Sequence, residues 1–104
     1  MTTYHELTGF QRDLLEAIAA VNDDPYGLAL KYYLDERYAD PINHSRLYQN
    51  LGKLAEQDLI NRDELDARTD EYTLSDTGRH LLQRQAETLA DLCDLPRSAG
   101  GVHR

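Results

Sequence analysis

The sequence predicts a mainly α fold with a small β-hairpin, an α+β chain of three core helices, two strands and one long terminal helix. Apolar residues recur at helical spacing over four separate stretches. Between the third and fourth lie two short runs, Leu59–Leu65 and Glu71–Leu74, split by the polar tip Asp66-Ala67-Arg68-Thr69-Asp70, the pattern of a hairpin. Residues that cap helices, Thr8, Asn43 and Ser75, stand just before three of the helical stretches. A chain of 104 residues supplies one modest core and not two.

The first helix starts at Thr8, which forms a capping box with Gln11 and so satisfies free backbone N–H groups. Phe10, Leu14, Ile18 and Val21 form its apolar stripe, widened by Leu15 and Ala19, and Asn22-Asp23-Asp24-Pro25 ends it. That tetrapeptide also opens the second helix, with Asp24 as cap and Pro25 at the first helical position. The second helix is expected to run to about Tyr38 and to bury Leu30, Tyr33 and Leu34, with Gly27 admitting a close neighbour. Ala39-Asp40-Pro41 is a turn, and Ile42 reads as a strand of one or two residues.

Asn43 caps the third helix, whose Leu47, Leu51 and Leu54 form one dry face and which stops near Gln57-Asp58. Ser75 caps the last helix, expected to run from Asp76 to about Leu95, with Asp76 placed where the helix dipole favours an acid. Residues 96–104 read as a disordered tail and 1–7 as an N-terminal arm. Residues 8–74 then form one domain, followed by a long helix over 75–95.

Composition excludes several classes. Hydrophobic content of 40% and charged content of 29% fit a soluble globular chain. No apolar run approaches the length of a membrane span, and the N-terminal residues carry no basic-then-apolar signal. The single cysteine, Cys93, fits a reducing cytoplasm and is expected to be a buried, inert thiol, with a dimer cross-link or a reactive thiol as the other readings. No Gly-rich phosphate loop, Cys-His metal spacing or Ser-His-Asp set is present, and the four histidines (5, 44, 80 and 103) are scattered. The chain is therefore read as no enzyme, with no cofactor and no metal site.

Net charge is -8, from nineteen acids, twelve of them Asp, against nine Arg and only two Lys. An Asp-rich, Lys-poor surface suits a cytoplasm at molar salt, where the Debye length of about 3 Å leaves dense carboxylates little mutual repulsion. Yet Pro41 to Ala55 contains no Asp or Glu at all. The polar side of this third helix carries His44, Ser45, Arg46, Gln49, Asn50 and Lys53, groups that donate to phosphates and to base edges. An acid-free face on an acidic protein marks the approach of a polyanion, for which double-stranded DNA is the candidate.

Three helices and a two-stranded hairpin are the winged helix-turn-helix arrangement. Four stretches further resemble the PadR-like transcriptional regulators: LTGFQRDLLEAI (7–18), YGLALKYYL (26–34), INHSRLYQNLGKLAEQDLI (42–60) and EYTLSDTGRHLL (71–82). Leu47-Tyr48, Leu51, Leu54 and Leu59-Ile60 are its most specific part, followed by the Tyr-Thr-Leu-Ser-Asp-Thr-Gly run into the last helix. The acidity is similar to versions found in halophilic archaea. A single helix also follows the hairpin where many members add a larger effector-associated domain.

The resemblance implies that the third helix enters the major groove and that the wing lies on adjacent backbone or minor groove. Arg46 then suits guanine, and Gln49 or Asn50 adenine, each bidentate contact discriminating by about 1–3 kcal/mol. His44 and Ser45 sit at the phosphate-attracting helix N-terminus, and Lys53 is placed for the backbone. Tyr48 is either a phosphate contact or a packing residue against the second helix. On the wing, Arg68 at the tip leads, with Arg62 and Thr69 beside it, although Asp63, Glu64, Asp66 and Asp70 surround them. A purely structural wing is the alternative there.

One recognition helix seldom suffices, and a two-fold dimer presents two of them about 34–36 Å apart to a pseudo-palindromic site. Leu82, Ala86, Leu89 and Cys93 form a heptad seam suited to a homodimer, flanked by Leu81, Ala90 and Leu92, with Tyr4 and Leu7 of the arm as candidate additions. Inorganic cations, K+ or Na+, are expected to accompany the carboxylates held against DNA. A winged-helix protein-interaction module that has lost DNA contact is the competing function.

Overall fold

A computed structural model describes residues 3–21, 23 and 26–96. A 3-10 turn, Tyr4–Glu6, precedes α1 (Gly9–Ala20), α2 (Gly27–Asp35), α3 (His44–Glu56), the strands β1 (Ile60–Glu64) and β2 (Asp70–Leu74), and α4 (Asp76–Leu92). This is the expected order, and the fold is that of an α+β winged helix.

The helix starts follow local chemistry. Thr8 makes the full capping box with Gln11, each bond 3.1 Å. The Asn43 side chain accepts from the Arg46 N–H at 3.0 Å, and the Ser75 hydroxyl accepts from the Gly78 N–H at 3.0 Å. The core is then a leucine layer. Leu14, Leu15, Leu30, Leu34, Leu47, Leu51, Leu54 and Leu59 are fully buried, joined by Phe10, Ile18, Ile42, Ile60 and Tyr72. Truncating such a side chain to alanine typically costs about 2–5 kcal/mol.

Two glycines mark close approaches. A Cβ at Gly27 would run into the Tyr48 ring, and one at Gly78 into the Leu59 carbonyl. The second contact clamps the base of α4 against the α3–β1 junction, where the Ser75 hydroxyl also donates to the Asp58 carbonyl at 2.6 Å. Helix α4 stays half-buried along one side as far as Ala90 and is exposed from Asp91 onward, and the long axis of the molecule reaches 44 Å against 29 and 28 Å for the others.

Several sequence expectations need correction. Helix α2 starts at Gly27, with Tyr26 in the cap position making no side-chain capping bond, and the expected start residues Asp24 and Pro25, with Asn22, lie outside the described residues. It ends at Asp35 rather than near Tyr38. There the Asp35 carboxylate turns forward to accept the Ile42 N–H at 2.7 Å, while binding Lys31 at 2.7 Å. Lys31 and the Ile42 N–H both hold this carboxyl below the usual range. Tyr38 folds inward instead, donating to Asp13 at 2.5 Å and meeting the Phe10 ring edge-on.

Ile42 forms no strand, because that side-chain acceptor satisfies its N–H. The strands span 60–64 and 70–74 rather than 59–65 and 71–74, and α4 stops at Leu92 rather than Leu95. Leu7 of the arm is buried in the core, so it is not free to face a partner. Cys93 is exposed, not buried, since α4 has by then outrun the domain and has no surface of its own chain to lie on.

Residues 97–104, most of the expected tail, and Met1 and Thr2 of the arm lie outside the described residues. No described helix is long and apolar enough to cross a membrane, and no described cluster of His, Cys, Asp and Glu could hold a metal ion.

Candidate nucleic-acid interface

Helix α3 seats Leu47, Leu51 and Leu54 in the core. At 3.6 residues per turn the opposite meridian then runs through Ser45, Gln49, Gly52 and Glu56. The side chains of Ser45 and Gln49 are exposed and make no hydrogen bond or ion pair among the described residues, and the same holds for the side chain of Lys53. These three are open to an incoming ligand. Glu56, the residue directly after the acid-free window, is the single acid of this helix.

The two flanks of α3 are engaged by the rest of the domain. Toward α1, the Arg46 guanidinium lies 4.0 Å from the centre of the Phe10 ring, a cation–π contact. Asn50 accepts from the Gln11 amide at 3.0 Å and donates to the Arg46 carbonyl at 2.7 Å. Beneath them burial, then the Asp13 hydrogen bond, push the Tyr38 hydroxyl up to about 12, so it stays a neutral donor.

Toward α2, the Tyr48 ring packs over Gly27 and stacks on His44, with centroids 6.4 Å apart. Of the two sequence readings for Tyr48, packing against α2 is therefore observed. The ring remains 46% exposed and borders the cleft described next.

That cleft, of about 560 Å³, separates α3 from the hairpin. Tyr48 and Gly52 line one wall, Arg62, Arg68, Thr69 and Tyr72 the other, and Tyr26 closes the end. Tyr26 also makes an isolated backbone bridge to Glu71, which ties the wing to the start of α2. Burial raises the Tyr72 hydroxyl above its ordinary range.

The wing's acids divide into three kinds. Asp66 accepts the N–H groups of Arg68 and Thr69 at 2.8 and 2.9 Å and so shapes the tip. Those bonds hold its carboxyl below the usual range. Asp70 pairs with Arg62 at 2.9 Å and raises the guanidinium. The rest face like charges, since Asp63 stands across from Glu71 and Glu64 across from Asp70 in the antiparallel register. Arg68 carries no ion pair among the described residues.

The third helix and the wing are thus brought to one face, while Leu82, Ala86 and Leu89 on α4, and Cys93 at its C-cap, lie apart from it. There Leu82, Ala86 and Leu89 join Tyr4, Glu16 and Ala19 around a second groove of about 460 Å³. Leu89 is 51% exposed, and Leu92 and Leu95 are more so. Burial, the largest cause in each case, raises the Tyr4 hydroxyl and the Glu16 carboxyl beside it. Three contributors to the interface lay beyond sequence reasoning. Tyr26 and Tyr72 carry no local signal of lining a cleft, and Gln11 signalled only a helix cap.

The profile of the transcriptional regulator PadR-like family matches residues 14–84. Among solved structures, H. salinarum RosR is 38% identical over 82% of this chain and 76% of that one, with a TM-score of 0.76. A complex structure of its form RosR-S1 is 37% identical over 84% and 76% of the two chains, with a TM-score of 0.77. The MepR–DNA complex of S. aureus shares the fold at 18% identity, over 86% and 62%, with a TM-score of 0.69. No curated protein matches the chain.

Proposed function

The chain belongs to the transcriptional regulator PadR-like family, and from that premise we propose a cytoplasmic homodimer that reads a pseudo-palindromic operator in double-stranded DNA at high salt. The observation that carries this is the outward meridian of α3. Ser45 and Gln49 stand there, with Lys53 beside them, their side chains free of partners among the described residues and within a window that lacks acid in a chain of net charge -8.

With α3 in the major groove, Gln49 presents its amide to a base edge and Arg46 reaches from the flank. Ser45 and His44 meet phosphate at the helix N-terminus. Lys53 and Tyr48 follow the strand toward the cleft, and Arg68 and Thr69 take the backbone from the wing side. Arg62 joins them by leaving Asp70, and the carboxylate so released takes up K+ or Na+.

Two such helices are presented one DNA turn apart when the seam Leu82, Ala86, Leu89 and Cys93 pairs with that of a second copy. The open groove beside it, and a terminal helix with little of its own chain to cover it, support that pairing. Likeness to a protein of H. salinarum, a halophilic archaeon, supports the salt adaptation.

The test is binding of genomic fragments in molar KCl by the native chain and by the Arg46→Ala, Gln49→Ala double variant. Loss of binding with an unchanged sedimentation coefficient is the expected result. Native protein that retains no fragment would overturn the regulator reading in favour of a protein-interaction module.

A further inference from the structure

Gln11 is the single polar side chain buried among the described residues, 7% exposed in an otherwise apolar core. Half of its amide is accounted for by the helix cap, because Oε1 accepts the Thr8 N–H. A glutamate would perform that half equally well. The other half, the Nε2 donor, reaches across to Asn50 Oδ1 at 3.0 Å.

Asn50 in turn donates to the Arg46 carbonyl one turn back along α3. The Arg46 guanidinium rests on Phe10, the residue next to Gln11. Two consecutive residues of α1 therefore hold two flank residues of α3. No other hydrogen bond between side chains links α3 to α1 among the described residues.

We infer that Gln11 is a positioning residue for base reading: through Asn50 it fixes the roll of α3 about its axis and so aims Gln49, Ser45 and Arg46. This rests on the DNA reading proposed above. Leucines alone leave a helix free to settle by small rotations, because apolar contact has no preferred direction. A directional amide–amide bond at the rim removes that freedom. Recognition groups must be held within roughly 0.5 Å and 10–20° of their working geometry. Asn50 then acts as a strut, with both ends of its amide already occupied before DNA arrives.

Cap and strut can be separated by substitution. Thr8→Ala removes the cap hydroxyl and leaves the Gln11–Asn50 bond. Gln11→Glu keeps an acceptor for the Thr8 N–H but has no donor for Asn50 Oδ1. Asn50 can meet it only by turning its amide over, which withdraws the donor from the Arg46 carbonyl. Gln11→Met removes both interactions at similar volume.

Each variant is tested against the tightest duplex that the native protein selects from a randomised pool, and against a scrambled duplex of equal length. The readouts are the affinity ratio and the unfolding midpoint. Thr8→Ala is expected to lower the midpoint by about 4–8 °C and to leave the ratio within about twofold. Gln11→Glu and Gln11→Met are expected to lower the ratio about tenfold, and Gln11→Met to add nothing further once Asn50→Ala is present.

Ratios unchanged in both Gln11 variants, or lowered as much by Thr8→Ala, overturn the positioning role. A Gln11→Met chain that does not fold leaves Gln11→Glu to decide. Native protein that prefers no duplex sinks the DNA reading, and this inference with it, before any variant is compared.

Discussion

At the scale of single residues, aspartate does a job that glycine usually does. Asp58 and Asp94 stand in the left-handed region, with φ of 60° and 57°. Each is the first residue past a helix C-cap, Gln57 for α3 and Cys93 for α4. After α3 the Leu59 N–H bonds the Leu54 carbonyl and the Asp58 N–H bonds that of Ala55. After α4 the Leu95 N–H bonds the Ala90 carbonyl in the same way. These are Schellman closures, whose left-handed position costs a side chain about 1–2 kcal/mol and glycine nothing. Asp58→Gly is therefore expected to raise stability by about 1 kcal/mol, read as a higher urea midpoint. A fall in the midpoint would mean that the carboxylate contributes more than the strain costs. The same residues show what the sequence made legible. Helix starts were readable because Thr8, Asn43 and Ser75 act on N–H groups three residues away. The end of α4 was misplaced because an aspartate there is not a recognisable stop. Gln11 to Asn50 spans 39 residues and leaves no local trace.

Among the elements, the wing is the one least at ease with itself. Ile60 and Leu74 anchor its base in the core. Toward the tip the register sets Asp63 opposite Glu71 and Glu64 opposite Asp70. Like charges directly across a ladder destabilise it, and opposite charges contribute roughly 0.2–1 kcal/mol. Salt decides how much of this is felt, since the Debye length falls from about 10 Å at 0.1 M to about 3 Å at 1 M. Asp63→Lys should accordingly be more stable than the native chain by about 1 kcal/mol at 0.1 M KCl, with the gap closing near 1 M. Urea midpoints at the two salt concentrations measure it, and an equal gap at both would refute cross-strand repulsion. The hairpin itself was legible from its polar tip and flanking β-prone runs. Its fastening was not, because the Tyr26–Glu71 bridge joins residues 45 positions apart by backbone alone. The division of the wing's acids was hidden for a related reason. Only the turn geometry and the register reveal that Asp66 shapes the tip and that Asp70 neutralises Arg62.

The molecule as a whole sets a small open face against a charge of -8. In the proposed complex, Lys53, Arg68 and Arg62 of each copy meet phosphate, while Asp63, Glu64, Asp70 and Glu71 are brought near the same backbone. An ordinary regulator with 6–10 phosphate contacts releases condensed cations and loses roughly 10³–10⁵ in affinity between about 50 and 200 mM salt. Here two processes oppose that release. Arg62 must part from Asp70, to which it is bound at 2.9 Å, and the freed carboxylate then needs a cation of its own. The like pairs on the wing likewise need cations once DNA stands beside them. Each cation taken up cancels one released, so the slope of log affinity against log salt shrinks and can change sign. Titrating a selected duplex from 0.2 to about 2 M KCl is expected to give a shallow or rising affinity. Asp70→Asn, which leaves Arg62 unpaired and removes a cation's place, should steepen the fall by about one unit of slope. A native chain that loses affinity as steeply as an ordinary regulator would show that the wing's acids stay clear of DNA. Arg62 would then remain locked to Asp70, and recognition would rest on α3 and Arg68 alone.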